Sequence, residues 1–161
     1  GSFTRYVEAT YGAEWIWVTV SLYPATRMVL SLFGGALIDR IGQAPVLAGG
    51  FLSGAVGLAV TVCIHSPWSA AFTAFALGLL NSTVPVSASA IVGKAADRER
   101  RPLVYGVVFG WRDIGIIVAA MGSNLLGLSI NMNTVFAVFA VVFAACAALS
   151  CLLPRYDRQQ L

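Results

Sequence analysis

Charge is scarce in this sequence. Ten Lys and Arg and seven Asp and Glu make up 11% of its 161 residues. A soluble domain carries about 25% charged residues and about 45–50% apolar ones. Here the apolar fraction is 58% and the mean hydropathy is +0.82. So few charges over so much apolar surface exclude a water-soluble globule. They also exclude a disordered chain, which needs low hydrophobicity and high charge. Cysteine is sparse as well. Cys63, Cys146 and Cys151 lie in apolar runs, and none forms a Cys-x-x-Cys pair. They read as small buried hydrophobes rather than metal ligands or a disulfide framework. The chain opens Gly1-Ser2 without an initiator Met, which reads as a cloning scar or the cut edge of a longer protein.

What is present is a set of long apolar runs. Five can be marked, over about 15–38, 46–64, 68–92, 103–130 and 134–153. Each is close to the ~20 residues that a helix needs to cross ~30 Å of hydrocarbon. Strands of a membrane barrel would be about ten residues long and alternate apolar with polar. The predicted fold is therefore all-α: an integral membrane protein of five transmembrane helices. Residues 1–14 are expected to form an external segment and residues 154–161 a cytoplasmic tail. The loops are short, with His65-Ser66-Pro67 after run two and Asn131-Met132-Asn133 after run four. Consecutive helices should then be antiparallel neighbours.

The basic residues are unevenly placed. Arg40, Lys94, Arg98, Arg100, Arg101, Arg155 and Arg158 fall on one side of the run pattern, and Arg5 alone on the other. The positive-inside rule then puts the N-terminus outside and the C-terminus in the cytoplasm, across a plasma (inner) membrane. The same rule accounts for the formal charge of +3, so no nucleic-acid partner is indicated. No metal-ligand cluster, phosphate-cradling glycine loop or nucleophile–base pair is present. No cofactor is implied and no enzyme is indicated, an intramembrane one included. The partner implied by composition is the lipid bilayer.

Run one ends in Gly35-Ala36-Leu37-Ile38-Asp39-Arg40-Ile41-Gly42. A helix should stop there, with Asp39 and Arg40 in the turn and Gly42 reversing the chain. Asp39 is placed to accept hydrogen bonds from a neighbouring helix N-terminus. Gly35, Leu37, Asp39, Arg40 and Gly42 resemble the signature loop of major facilitator superfamily transporters. The resemblance fades at Gln43-Ala44, where that family prefers two basic residues. The family carries this loop after helix 2 and, more degenerate, after helix 8. The faded form favours the second copy. The segments Val104-Tyr105-Gly106 and Trp111-Arg112-Asp113-Ile114-Gly115 look like the start of helix 11 in that family. The resemblance covers nearly the whole chain as helices 8 to 12, a partial major facilitator fold. It implies missing N-terminal helices or a complementary half. Asp39 and Arg40 would then control the cytoplasmic gate.

Within the runs, Arg27 is equally far from Trp15 and Asp39, which places it near the bilayer midplane. Thr19, Tyr23, Arg27 and Ser31 recur every four residues and form a polar stripe facing the bundle interior or a watery cavity. Arg27 could equally clamp the backbone carbonyls of a neighbouring helix. Pro24 should kink this helix. Asn81 lies mid-run beside Ser82 and Thr83, with Pro85 freeing a carbonyl at its level. The nearby serines read as inter-helix hydrogen-bonding groups. Tyr23, Arg27, Asn81 and Asn124 are the candidate cavity residues. Arg112 and Asp113 are adjacent, point about 100° apart and should each need a separate partner in a structural or gating charge network. They are expected nearer the cytoplasmic end than the centre. Gly50 with Gly54, and Gly106 with Gly110, form Gly-x-x-x-Gly pairs that suit close helix contacts. The function indicated is that of a secondary active transporter, or a portion of one, moving a small solute by alternating access, with ion coupling. The alternative is a truncated or orphan membrane module that does not transport alone and serves as a partner subunit.

Overall fold

The computed structural model describes residues 2–129 and 131–152, without the side chains of residues 2, 94–95 and 123–129. Six helices follow in order: α1 (Ser2–Tyr11), α2 (Ala13–Ile41), α3 (Gln43–Cys63), α4 (Pro67–Ala95), α5 (Arg101–Ser129) and α6 (Met132–Leu152). From α2 onward all are long and apolar enough to cross a membrane. The all-α membrane architecture and the five apolar spans agree with the sequence. The helices overrun the apolar runs by up to about a turn at several ends. An apolar run marks what hydrocarbon covers, whereas a helix continues through polar residues until a turn stops it. The segment expected as an external loop or cap is itself helical over Ser2–Tyr11.

Glycine sets two of the turns. Gly12 (φ 93°) separates α1 from α2, and Gly42 (φ 98°) alone separates α2 from α3. With ψ at 167° and 163°, both sit in a region that is essentially restricted to glycine. α4 starts with Pro67 in its first turn, where a missing N–H costs no hydrogen bond. Asn131 Oδ1 accepts from the Asn133 backbone at 3.1 Å at the start of α6.

The core of the bundle lies around α3. It packs on α4 along one side and α6 along another, and α2 lies against α4. A Cβ at Gly57 would come 2.6 Å from Ala76 Cβ, and one at Gly54 would come 2.9 Å from Leu80 and 3.2 Å from Phe143 of α6. A Cβ at Gly50 would overlap Thr83. Contacts at 57, 54 and 50 thus meet rising positions on α4, so α3 and α4 run antiparallel. Between α2 and α4 the register is parallel. Gly78 meets Thr26, and Gly34 meets Val86. Hydroxyls reinforce the α3–α4 seam. Thr61 and Thr73 Oγ1 lie 2.5 Å apart, and Thr73 donates to the Gly57 carbonyl at 2.5 Å.

Two expectations about packing change. Consecutive helices are not the main neighbours at every turn, because a one-residue turn ties only the helix ends. α2 diverges from α3 to lie on α4, and α5 makes only thin contact with α4 and α6. Of the two Gly-x-x-x-Gly pairs, only Gly50 and Gly54 sit in a seam. Gly106 and Gly110 face open space on α5, where no helix approaches. The cysteines also depart from expectation. Cys63 and Cys151 are exposed, Cys146 is half-buried, and all three are free thiols.

One end of the bundle gathers the α3–α4 turn, the start of α6 and α1. His65 Nε2 lies 3.1 Å from Asn133 Nδ2. The Tyr6 ring meets Phe136 edge-on at 5.1 Å. Trp15 and Trp68 meet edge-on at 5.2 Å at the parallel starts of α2 and α4. Burial pushes the Tyr6 hydroxyl up to about 12, with the Tyr11 hydroxyl adding to the effect.

Candidate functional site

Arg27 is 14 residues from both Ala13 and Ile41, the ends of α2. Asn81 is 14 residues from both Pro67 and Ala95, the ends of α4. Two parallel 29-residue helices therefore carry a polar side chain at their midpoints. At 1.5 Å per residue, each midpoint is about 21 Å from either helix end. Asn81 Nδ2 donates to the Tyr23 hydroxyl across the α2–α4 interface. Tyr23 precedes Arg27 by one turn, so the two share a face.

Pro24 and Pro85 both lie inside their helices. A proline frees the carbonyl four residues earlier. The groups freed are at Val20 on α2 and at Asn81 on α4, so backbone acceptors open around the same level as the side-chain pair.

Of the stripe read in the sequence, only Thr19 lies among the buried residues of α2. Thr19, Thr26, Gly34 and Ile38 are its buried residues. Thr19 and Thr26 turn their hydroxyls onto carbonyls of their own helix, at 3.0 Å to Trp15 and 2.8 Å to Leu22. Tyr23 is half-buried, and Arg27 and Ser31 are exposed. Ser31 donates to the Met28 carbonyl at 2.8 Å. Arg27 has no hydrogen-bond or ion-pair partner among the described residues. The backbone clamp considered for it is absent among those residues. Thr26 and Gly78, where α2 and α4 cross, were missed by sequence reasoning. The signal was available in the Thr19 and Thr26 repeat two turns apart.

The hydroxyls at and beyond the middle of α4, unlike Thr73 on the α3 seam, behave differently from expectation. Ser82 and Thr83 donate to the Leu79 carbonyl at 2.8 and 2.9 Å, and Ser89 to the Pro85 carbonyl at 2.8 Å. These bonds stay within one helix. The inter-helix bond at Ser89 comes through its carbonyl, which accepts from Tyr105 of α5 at 2.8 Å.

The signature residues form the last turns of α2 rather than a loop. Gly35 through Ile41 are helical, and Gly42 alone is the turn. Asp39 and Arg40 are exposed, and among the described residues neither has a hydrogen-bond partner. Asp39 therefore does not cap a neighbouring helix here. Arg40 in the last turn suits the negative end of the helix dipole. Leu37 lines an apolar groove of about 210 Å³ with Ile41, Pro45, Gly49, Leu79 and Thr83. The groove is separate from Arg27, Tyr23 and Asn81.

Arg112 and Asp113 pair with each other. Arg112 Nε and Nη2 donate to Asp113 Oδ1 at 3.0 and 2.8 Å, and the guanidinium lies 4.8 Å from the Phe109 ring centre. Separate partners were expected from their angular spacing. The long, flexible arginine stem reaches back across that angle. Asp113 lies 12 residues from the start of α5 and 16 from its end. The pair is thus near the helix centre and not at one end. Asn124, Lys94, Arg155 and Arg158 fall outside the described side chains.

The described residues hold no group of three His, Cys, Asp or Glu side chains able to bind a metal. The site offers cationic and neutral donors, with acceptors at two freed carbonyls.

The sequence profile described as Major Facilitator Superfamily matches residues 6–160. The Multidrug resistance protein MdtH of Citrobacter koseri is 30% identical over 147 residues, covering 91% of this chain and 36% of that protein. Its counterparts in Salmonella arizonae and Salmonella typhimurium are 29% identical over the same span. The chain thus spans about a third of the length of the curated relatives it matches. No solved structure matches significantly. A family match running from α1 to the C-terminal residues, on a bundle with five apolar spans, places the chain: it belongs to the Major Facilitator Superfamily of membrane transport proteins.

Proposed function

We propose that the chain is the C-terminal part, helices 8 to 12, of a secondary transporter. In this reading it moves a small solute by alternating access and draws on an ion gradient. The carrying observation is the Tyr23–Asn81 hydrogen bond beside Arg27 at the midpoints of two parallel helices. Transporter sites are built near the bilayer midplane, often at interrupted helices. Pro24 and Pro85 each free a backbone carbonyl around that level, within helices that stay continuous. The relatives' name supports drug-like solutes as cargo. Their greater length supports a need for further N-terminal helices. The crowding of Lys and Arg toward one end of the spans supports an external N-terminus and a cytoplasmic C-terminus in a plasma (inner) membrane.

Flux of fluorescent drug-like solutes into proteoliposomes is the test. The chain is reconstituted alone and with its complementary helices, under an imposed proton gradient. Flux above protein-free liposomes is expected only for the combined preparation, and collapse of the gradient should abolish it. Flux in neither preparation would sink the proposal. It would favour the second reading, a partner module without transport of its own.

A further inference from the structure

We infer that Arg27, with the Tyr23 hydroxyl, forms a binding point for the carboxylate of an amphipathic solute. This rests on the transporter reading above and names the class of cargo. Arg27 stands at the midpoint of a 29-residue apolar helix. A charge there is costly to insert and marks a functional site. About 21 Å of helix lies on either side. That is too far for the side chain to snorkel to a headgroup. The guanidinium must instead meet an anion or water inside the protein.

Among the described residues it meets none. Arg112, the other arginine near a span centre, is already neutralised by Asp113 at 2.8 Å. Among the described residues Arg27 is left as an uncompensated cation. One carboxylate balances it, whereas a dianion would leave a net charge in a low-dielectric site. The planar fork of a guanidinium matches a carboxylate with two parallel hydrogen bonds.

The second contact comes from Tyr23. Its oxygen accepts from Asn81 Nδ2, which leaves the hydroxyl proton free to donate. Tyr23 and Arg27 are one turn apart, with Cβ atoms about 5–6 Å from each other. A carboxylate can therefore engage both. Asn81 acts as a positioning residue that holds the phenol. Val20, one turn before Tyr23 on the same face of α2, is exposed. It gives the apolar body of the solute a surface next to the polar point.

The experiment uses the complete transporter in detergent, with naphthoate and naphthamide as probes of equal shape and different charge. Wild type should bind naphthoate more tightly than naphthamide. Arg27→Gln should weaken naphthoate at least about tenfold, a change of about 1.4 kcal/mol, and leave naphthamide nearly unchanged. Arg27→Lys should fall between them, and Tyr23→Phe should cost naphthoate a smaller factor. Should Arg27→Gln not fold, the Lys and Phe variants carry the same comparison. An unchanged naphthoate-to-naphthamide ratio in the variants, or no saturable naphthoate binding by wild type, overturns the inference. Transport of other dyes without a naphthoate preference removes only this inference. A preference that follows Arg27 without any flux removes only the transporter reading.

Discussion

The side-chain amide of Asn81 donates to the hydroxyl of Tyr23, tying the midpoint of α4 to α2 one turn before Arg27. Hydrogen bonds between membrane helices average about 0.6 kcal/mol. Tyr23→Phe and Asn81→Ala should each lower unfolding stability by about that amount. Because both remove one bond, the double variant should lose no more than either single one. A double-mutant cycle on unfolding in detergent checks this. Additive losses would show that the two side chains act independently.

The glycine seams should divide by what each glycine faces. Val at Gly57 or Gly78 drives carbon into Ala76 or Thr26, where a Cβ already comes within 2.6 or 2.8 Å. Overpacking of this kind costs about 1–3 kcal/mol. Gly110→Ala meets nothing within 4 Å and should be neutral or slightly stabilising, since Ala favours a helix over Gly by about 1 kcal/mol. Thermal stability of the three variants separates the two classes.

Much of this bundle was legible because membrane helices announce themselves by length and apolarity. Arg27, Tyr23 and Asn81 could be singled out because each is polar where hydrocarbon is expected. Their meeting could not be read, since periodicity fixes a face of one helix but not the helix it faces. The same gap explains the packing errors. Gly106 and Gly110 have the same spacing as Gly50 and Gly54, yet of these two pairs only the one on α3 has close neighbours. The Arg112–Asp113 pair was missed because angular spacing ignores the reach of an arginine stem. The end of α2 was read as a loop because Asp39, Arg40 and Gly42 look like turn chemistry, while only Gly42 leaves the helix.

At that turn, Gly42 sits at φ 98° and ψ 163°. Gly42→Ala should cost about 1–3 kcal/mol through backbone strain. Asp39 and Arg40 are exposed beside it. In the complete transporter, Asp39→Ala should slow turnover more than it weakens binding. A KM rise with unchanged kcat would place Asp39 in solute binding instead of gating.

Orientation can be read from thiols. Cys63 ends α3 at the His65 end of the bundle, Cys151 lies at the far end of α6, and both are exposed. With the N-terminus outside, a membrane-impermeant maleimide should label a variant keeping only Cys63 in intact cells. One keeping only Cys151 should react only after the membrane is opened. The opposite pattern would invert the chain.

Arg112 and Asp113 make the last case, because their pairing predicts how substitutions combine. Together they present no net charge near the centre of α5, where a lone Arg or Asp costs about 2.5–3.5 kcal/mol on insertion scales. Removing either residue leaves the other charge uncompensated, so Arg112→Ala and Asp113→Ala should each reduce membrane insertion and stability. Removing both takes away the charge as well as the pair, so the double variant should recover toward wild type. Insertion yield and thermal stability of the three variants measure this directly. If the double variant is worse than either single one, each residue has a partner of its own and the 2.8 Å contact is not the one that matters. The same set separates structure from transport: a double variant that inserts and is stable but moves no solute would make the pair part of the gate.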